Sequence, residues 1–208
     1  MYKGEACNSS IDGWTFFNSS LDFTMLKRTY EVPGNPEDSI CVKAAFNPLF
    51  NKSHVLRKTF TYRNMSSTYK LPGMDVSYWP IAWVLMHFYM YGTVQVLNFV
   101  NSTIVKSWYG YSLPPPHWRF IYVQKQCAVV RVPSPDSEMS STEDTSEKRK
   151  PPCELWVNVG EEHMQEFERL SYCCDAVFRE QCNTTRIYQV FEPDKCALKS
   201  AVKRISAC

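Results

Sequence analysis

Short stretches in which apolar and polar residues alternate run through most of the chain. The alternation is clearest over residues 40–46 and 55–62, and residues 23–30 form another run rich in apolar and aromatic side chains. Such patterns are typical of half-buried β-strands. Further candidate strands are 81–91, 93–99, 103–110, 118–125, 127–132 and 153–159. With turn-forming proline and glycine between them, these strands predict an antiparallel barrel or sandwich, so the fold class is mainly β.

One segment has the periodicity of a helix. Between Glu161 and Phe178 the large apolar side chains recur every three or four residues. They form one stripe, made of Met164, Phe167, Leu170, Cys174 and Phe178. We therefore predict a C-terminal α-helix whose apolar stripe packs on the outside of the barrel.

Chain length and composition favour a single domain. The 208 residues are 44% hydrophobic, which is enough for one core, so we assign residues 1–208 to one domain. Within it, residues 1–20 are a polar N-terminal segment and residues 197–208 a flexible tail. Residues 133–152 contain Met139 as their only large apolar residue, which predicts a mobile loop between two strands.

The nine cysteines indicate disulfides rather than a metal site. There is no Cys-x-x-Cys pair and the four histidines are scattered, so we expect no zinc and no other cofactor. Disulfides imply an oxidising compartment. Cys173 and Cys174 are adjacent in the predicted helix, where neighbouring side chains project about 100° apart. They should therefore bond to two different segments.

Six Asn-x-Ser/Thr sequons indicate a secreted, extracellular glycoprotein. Their asparagines are Asn8, Asn18, Asn51, Asn64, Asn101 and Asn183. No signal peptide is recognisable at Met1, and we interpret the chain as a mature form. The longest apolar run, residues 79–91, is too short to span a bilayer. The formal charge of +2 gives no indication of a nucleic-acid or membrane partner.

The sequence carries no recognisable catalytic motif. It has no Gly-x-Ser-x-Gly, no phosphate-binding glycine loop and no Ser/His/Asp set at a family spacing, with only seven glycines in total. We therefore expect a binding protein and not an enzyme.

The order of motifs over residues 20–196 resembles that of the salivary lipocalins of ticks, the family that contains the histamine-binding proteins. The motifs are Thr29-Tyr30, Ser39-Ile40-Cys41-Val42, Arg57-Lys58-Thr59-Phe60, Tyr91-Gly92, Cys127, Glu154-Leu155-Trp156, Cys174 with Phe178, and Val190-Phe191 with Cys196. The resemblance implies an eight-stranded antiparallel lipocalin barrel, cross-linked by disulfides, with a C-terminal helix packed on its outside. Such a barrel is just wide enough to hold one small ligand.

The resemblance also implies a disulfide pattern. By position in the family it gives the pairs Cys41–Cys196, Cys127–Cys174 and Cys7–Cys173, which leaves Cys153 and Cys182 for a fourth pair. Cys208 is left over, and is either free or linked to a second chain.

A set of ligand-binding residues follows from the same resemblance. Amine-binding members resemble one another in a Cys-Asp before one strand and a Glu-Leu-Trp on the next. Glu154 and Trp156 are present here and face the same way on a strand, but Cys127 is followed by Ala128. Because a buried ammonium needs a carboxylate partner, the missing acid favours an apolar ligand. The expected ligand contacts are Glu154, Trp156, Trp83, Leu85, Phe60, Tyr30, Tyr122 and Phe46.

These observations favour one function and leave two alternatives. The favoured function is sequestration of a small host mediator by a secreted salivary lipocalin, with a lipid, sterol or eicosanoid as ligand, to suppress host inflammation or immunity. The first alternative is a scavenger of histamine or serotonin, which a second carboxylate near Glu154, such as Glu31 or Asp75, would favour. The second is a complement inhibitor or other immunomodulator that binds a host immune protein through residues 113–118 or 133–152.

Overall fold

The computed structural model describes residues 7–9, 11–32, 34, 36–71, 74–93, 95–133, 150–158 and 172–196. In chain order the elements are α1 (Gly13–Phe17), β1 (Phe23–Arg28), β2 (Ile40–Lys52), β3 (Val55–Leu71), β4 (Met74–Tyr78), β5 (Ile81–Tyr89), β6 (Phe99–Trp108), β7 (Trp118–Val123), β8 (Cys127–Arg131), β9 (Cys153–Val157), α2 (Tyr172–Gln181), β10 (Tyr188–Gln189) and α3 (Pro193–Cys196). A 3-10 turn at Pro36–Ser39 leads into β2.

Eight of these strands close into an antiparallel barrel. They follow the order β1-β2-β3-β5-β6-β7-β8-β9, and β9 pairs back with β1. Strand β4 pairs with the far end of β3, and β10 pairs with the end of β1 beyond its contact with β2. The predicted fold class is therefore confirmed, with β4 and β10 as additions to the eight barrel strands among the described residues.

The strand limits differ from the prediction where the chain leaves the barrel. Residues 93–99 were expected to form a strand, but β6 begins only at Phe99. Gly92 has a φ of +68°, which ends the preceding extended run in a turn. The segment after it contacts α1 instead, because the backbone nitrogen of Trp14 donates to the carbonyl of Leu97 at 3.2 Å.

Alternate strand residues face the barrel interior, as strand geometry requires. On β5 the inward side chains are Ala82, Val84, Met86 and Phe88, all buried. On β1 the alternation is broken by a bulge between Met25 and Lys27. Leu26 and Lys27 both face outward, and Arg28 consequently points into the barrel.

A short N-terminal helix closes one end of the barrel. In α1, Phe16 and Phe17 are fully buried, and the Phe17 ring stacks on Phe23 with centroids 4.4 Å apart. Gly13 lies against Phe120 so closely that a Cβ at this position would be 2.3 Å from the ring. The predicted polar N-terminal segment thus contributes two aromatic side chains to the core, which sequence reasoning missed.

Helix α2 packs on the outer face of the barrel, where Cys174 and Phe178 are fully buried. It ends at Gln181, and the predicted start at Glu161 lies outside the described residues. Two disulfides join α2 to different segments, as expected for adjacent helical cysteines. The four disulfides are Cys7–Cys173, Cys41–Cys196, Cys127–Cys174 and Cys153–Cys182, which confirms the predicted pairing.

Some predictions fall where the structure is not described. They concern residues 134–149 of the predicted mobile loop and the predicted tail 197–208. No described helix has both the length and the apolar character needed to cross a membrane.

Candidate functional site

A small cavity of about 40 Å³ lies inside the barrel, at the end where β1 finishes and β9 begins. This end is opposite the one that α1 closes. The described side chains around it come from β1, β2, β3, β7 and β9, from the connection between β6 and β7, and from Tyr30 and Val132, which follow β1 and β8. At this end the described core side chains do not fill the barrel interior.

Aromatic rings form the wall of the cavity that faces the core. The ring centroids of Trp118 and Trp156 are 5.4 Å apart, and the Phe60 ring is 6.1 Å from that of Trp156. Phe17 of α1 packs behind them, 5.4 Å from Trp118. Rings at these separations make favourable edge and offset contacts, so this wall is rigid and apolar.

The buried carboxylate among the described lining residues is that of Glu154, which is 3% exposed. Its Oε1 accepts a hydrogen bond from the Tyr30 hydroxyl, and its Oε2 accepts one from the Trp156 indole at 2.6 Å. Burial raises the pKa of Glu154, although the hydrogen bonds from Tyr30 and Trp156 and the charge of Arg28 act in the opposite direction. Both carboxylate oxygens are thus already engaged by donors of the protein.

A buried cation lies beside this carboxylate. Arg28 is the register partner of Glu154 across β1 and β9, and its residue is 1% exposed. Its Nη1 donates to the carbonyl of Ser39 at 3.1 Å, and its guanidinium lies 5.7 Å from the centre of the Tyr188 ring. The opposite charges of Arg28 and Glu154 therefore offset each other within the low-dielectric interior.

Two tyrosine hydroxyls complete the polar side of the cavity. Burial raises the pKa of Tyr30 and of Tyr111, and the nearby charge of Glu154 acts in the same direction. Both hydroxyls consequently remain protonated and can donate hydrogen bonds at neutral pH. Tyr30 donates to Glu154, and Tyr111 packs on Tyr62 with ring centroids 5.4 Å apart.

The connection between β6 and β7 covers the cavity, and we call residues 111–117 the cover segment. The residues of this segment that line the cavity are Leu113, Pro114, Pro115, Pro116 and His117. The backbone nitrogen of Ser112 donates to the Tyr62 hydroxyl at 3.1 Å, and the Ser102 hydroxyl donates to the carbonyl of Pro116 at 2.7 Å. Tyr62 and Ser102 thus hold the cover segment on the barrel.

The structure brings four of the predicted ligand residues together at this cavity: Glu154, Trp156, Phe60 and Tyr30. Their role in binding a ligand stays a prediction.

The other four predicted ligand residues lie elsewhere. Trp83 and Leu85 face outward from β5, where Trp83 contacts Trp108 and Arg57. Tyr122 faces outward under α2, because a bulge between Phe120 and Tyr122 reverses the alternation on β7. Phe46 is 39% exposed and packs on the Lys58 ammonium, away from the cavity. The expectation that these four face the cavity was wrong.

Sequence reasoning also missed several lining residues. They are Met25, Arg28, Val42, Tyr111, Leu113, Pro114, Pro115, Pro116, His117, Trp118 and Val132. Alternation from Phe23 would place Arg28 on the outer face, so no sequence pattern pointed to it. Val42 and Trp118 were recoverable, since both lie at inward positions of predicted strands.

The second carboxylate proposed for an amine site is not at the cavity among the described side chains. Glu31 is exposed and binds Arg186 and the Tyr188 hydroxyl, both at 2.6 Å. The side chain of Asp75 lies outside the described residues. Glu154 is the one carboxylate among the described lining residues.

The sequon asparagines have different environments. Asn8 and Asn101 are exposed, whereas Asn18, Asn64 and Asn183 are half-buried, and the side chain of Asn51 lies outside the described residues. The Oδ1 atoms of Asn64 and Asn183 accept hydrogen bonds from residues two positions ahead. Glycosylation of these residues stays a prediction.

The closed eight-stranded antiparallel barrel, the helix on its outside and the internal cavity define a lipocalin-like, ligand-binding class of protein. The family described as tick histamine binding protein matches residues 3–197, and the chain belongs to that family. Its fold is similar to that of Japanin from Rhipicephalus appendiculatus, described as bound to cholesterol in an orthorhombic crystal form. That match has a TM-score of 0.51 and 10% identity, and covers 84% of this chain and 95% of Japanin. A comparison with curated proteins gave no match.

Proposed function

We propose that this protein is a secreted tick lipocalin that sequesters a small, mainly apolar host mediator in the cavity beside Glu154, and thereby suppresses host inflammation or immunity. The observation that carries the proposal is the composition of the cavity, in which apolar and aromatic walls surround a carboxylate already bonded to Tyr30 and Trp156. An apolar ligand gains from burial against such walls without competing for those bonds.

The size of the cavity sets a condition on binding. Pockets for drug-sized ligands are roughly 300–1,000 Å³, whereas this cavity is about 40 Å³. A sterol or lipid therefore requires the cover segment to move outward. Few hydrogen bonds oppose such a movement, chiefly those from Ser112 to Tyr62 and from Ser102 to Pro116.

The family and the related structure indicate which classes of ligand to test first. The family's name refers to histamine, and the Japanin structure is described as a cholesterol complex. A panel of cholesterol, arachidonic acid, histamine and serotonin spans both chemistries. We expect native mass spectrometry and thermal-shift measurements on secreted protein to show binding of an apolar member of the panel and weaker binding of the amines.

A matched pair of variants identifies the site of binding. Val132→Phe adds a ring at the cavity, whereas Val105→Phe adds one on the exposed outer face of β6. The first should reduce binding of the apolar ligand at least about tenfold, and the second should leave it unchanged. We call cholesterol and arachidonic acid the apolar panel. Equal effects of the two variants, or absence of any thermal shift with the apolar panel, would refute the proposal.

The amine alternative has one specific observation in its favour. Glu154 is surrounded by the rings of Trp118, Trp156 and Phe60, and such rings attract cations. Tighter binding of histamine or serotonin than of the apolar ligands in the same panel would favour it. Binding of a host immune protein through residues 113–118 or 133–152 stays a prediction, and most of the second segment lies outside the described residues.

A further inference from the structure

Arg28 is a cation among the described lining residues. It faces the cavity because its strand, β1, contains a bulge. The bulge between Met25 and Lys27 turns Arg28 inward, so that it faces the cavity directly across from Glu154. Without the bulge, alternation from Met25 would turn Lys27 inward and Arg28 outward, so the bulge determines which cation of β1 lies beside Glu154.

The guanidinium is held in this position. It donates to the Ser39 carbonyl, its residue is 1% exposed, and the Tyr188 ring covers it from the outside. Tyr188 is fixed in turn by its hydrogen bond to Glu31 and by Arg186, which lies 4.9 Å from its ring centre. These contacts hold the Arg28 guanidinium beside the cavity.

We propose that Arg28 determines the specificity of this cavity by excluding ammonium ligands from Glu154 and selecting uncharged ligands that carry a hydroxyl group. The inference rests on the proposed function, because it concerns the head group of the ligand that the cavity takes. An ammonium placed at Glu154 meets the fixed guanidinium at short range, where like charges repel strongly in a low-dielectric interior. Glu154 itself offers little compensation, since its charge is already offset by Arg28.

A hydroxyl group avoids this repulsion and can use the same polar side of the cavity. It can accept a hydrogen bond from the guanidinium or from the Tyr111 hydroxyl, and it can donate to the carboxylate. The rest of such a ligand would pack on the apolar walls, among them Phe60 and Trp156.

The test compares 2-phenylethanol with 2-phenylethylamine, which differ in a hydroxyl and an ammonium on the same apolar body. In the wild-type protein we expect calorimetry to show tighter binding of the alcohol. In Arg28→Met the ratio of the two dissociation constants should shift toward the amine by about tenfold or more, because Glu154 then lacks its cation. The double variant Arg28→Met/Glu154→Gln should lose that gain, which a merely structural role of Arg28 would not predict.

Two results would overturn the inference: a wild-type protein that prefers the amine, or a folded Arg28→Met variant with an unchanged ratio. If Arg28→Met does not fold, as judged by circular dichroism, Arg28→Gln removes the charge but keeps a donor for the Ser39 carbonyl, and the same ratio decides. The apolar panel, measured on the wild-type protein, separates the two proposals. Binding of that panel with an unchanged ratio refutes only the role of Arg28, whereas no binding of the panel refutes the proposed function.

Discussion

The indole Nε1 of Trp156 donates a 2.6 Å hydrogen bond to Oε2 of Glu154, two residues before it on β9. Both side chains point into the barrel because alternate residues of a strand share a face. The bond fixes the carboxylate in its place and lets a large apolar ring be buried with its polar atom satisfied. Glu154 is consequently part of the structure of the barrel as well as of the candidate site.

Replacement of Glu154 by Gln should therefore destabilise the protein. The variant keeps the shape of the side chain but leaves the Arg28 guanidinium buried without its opposite charge, at a cost of about 3–5 kcal/mol. Urea unfolding with intact disulfides measures the free energy. Glu180→Gln is the control, since this carboxylate is exposed on α2 and should change the free energy by less than about 0.5 kcal/mol. Equal stability of the two variants would contradict the coupling of Arg28 and Glu154.

The predictable part of this fold is the part that obeys simple periodicity. The pattern of apolar and polar residues placed all eight barrel strands, although β6 begins at Phe99 rather than at residue 103, and it put Glu154, Trp156 and Phe60 on the inner face correctly. The stripe of the C-terminal helix placed Cys174 and Phe178 against the barrel. These features depend only on the spacing of apolar side chains along the sequence.

Bulges account for two of the errors at the site. One additional residue in a strand reverses the face of every residue after it, and no residue type is required at that position. Tyr122 was therefore expected inside and lies outside, while Arg28 was overlooked and lies inside. The core role of Phe16 and Phe17 was missed for another reason, since a two-residue aromatic pair in a polar segment carries no periodic signal.

The contact between Gly13 and Phe120 predicts a sensitive position in α1. In Gly13→Ala the new methyl would overlap the Phe120 ring and push the helix out of the end of the barrel, at a cost of about 1–3 kcal/mol. Thermal unfolding measures this loss. Gly92→Asn is a suitable control, because that glycine has open space around it and Asn tolerates its positive φ. A Gly13→Ala variant as stable as the wild type would mean that α1 is not seated against β7.

The hydrogen bonds of Tyr62 predict how fast ligand enters and leaves. In Tyr62→Phe the cover segment loses the hydrogen bond that the Ser112 backbone nitrogen donates to the tyrosine hydroxyl and the one between the Tyr62 and Ser112 hydroxyls, which should lower the barrier to its outward movement. Loss of about 1.4 kcal/mol raises the dissociation rate of a bound apolar ligand about tenfold. Stopped-flow fluorescence of the cavity tryptophans follows the release. Tyr89→Phe removes an exposed hydroxyl far from the cover segment and should leave the rate unchanged; the same rate in both variants would exclude this role for Tyr62.

Lys58 provides a prediction that depends on pH. Its residue is 1% exposed, and its ammonium lies 4.6 Å from the centre of the Phe23 ring. Burial lowers the pKa of Lys58 from 10.5 to about 8, although the charge of Asp22 acts to raise it. Between these two values the unfolded chain binds more protons than the folded protein, so this group makes the folded state more stable as the pH rises.

The free energy of unfolding should accordingly gain up to about 3 kcal/mol from Lys58 as the pH rises from 8 to 10.5, and should lose this gain progressively as the pH falls from 10.5 to 8. Lys58→Met, which keeps the apolar stem, should remove this gain and flatten the pH profile over the same window. Urea titrations at a series of pH values, on protein with any free thiol alkylated, measure the slope. Lys125→Met removes an exposed lysine and should retain the wild-type slope, whereas a wild-type slope in Lys58→Met would show that this ammonium stays charged in the folded barrel.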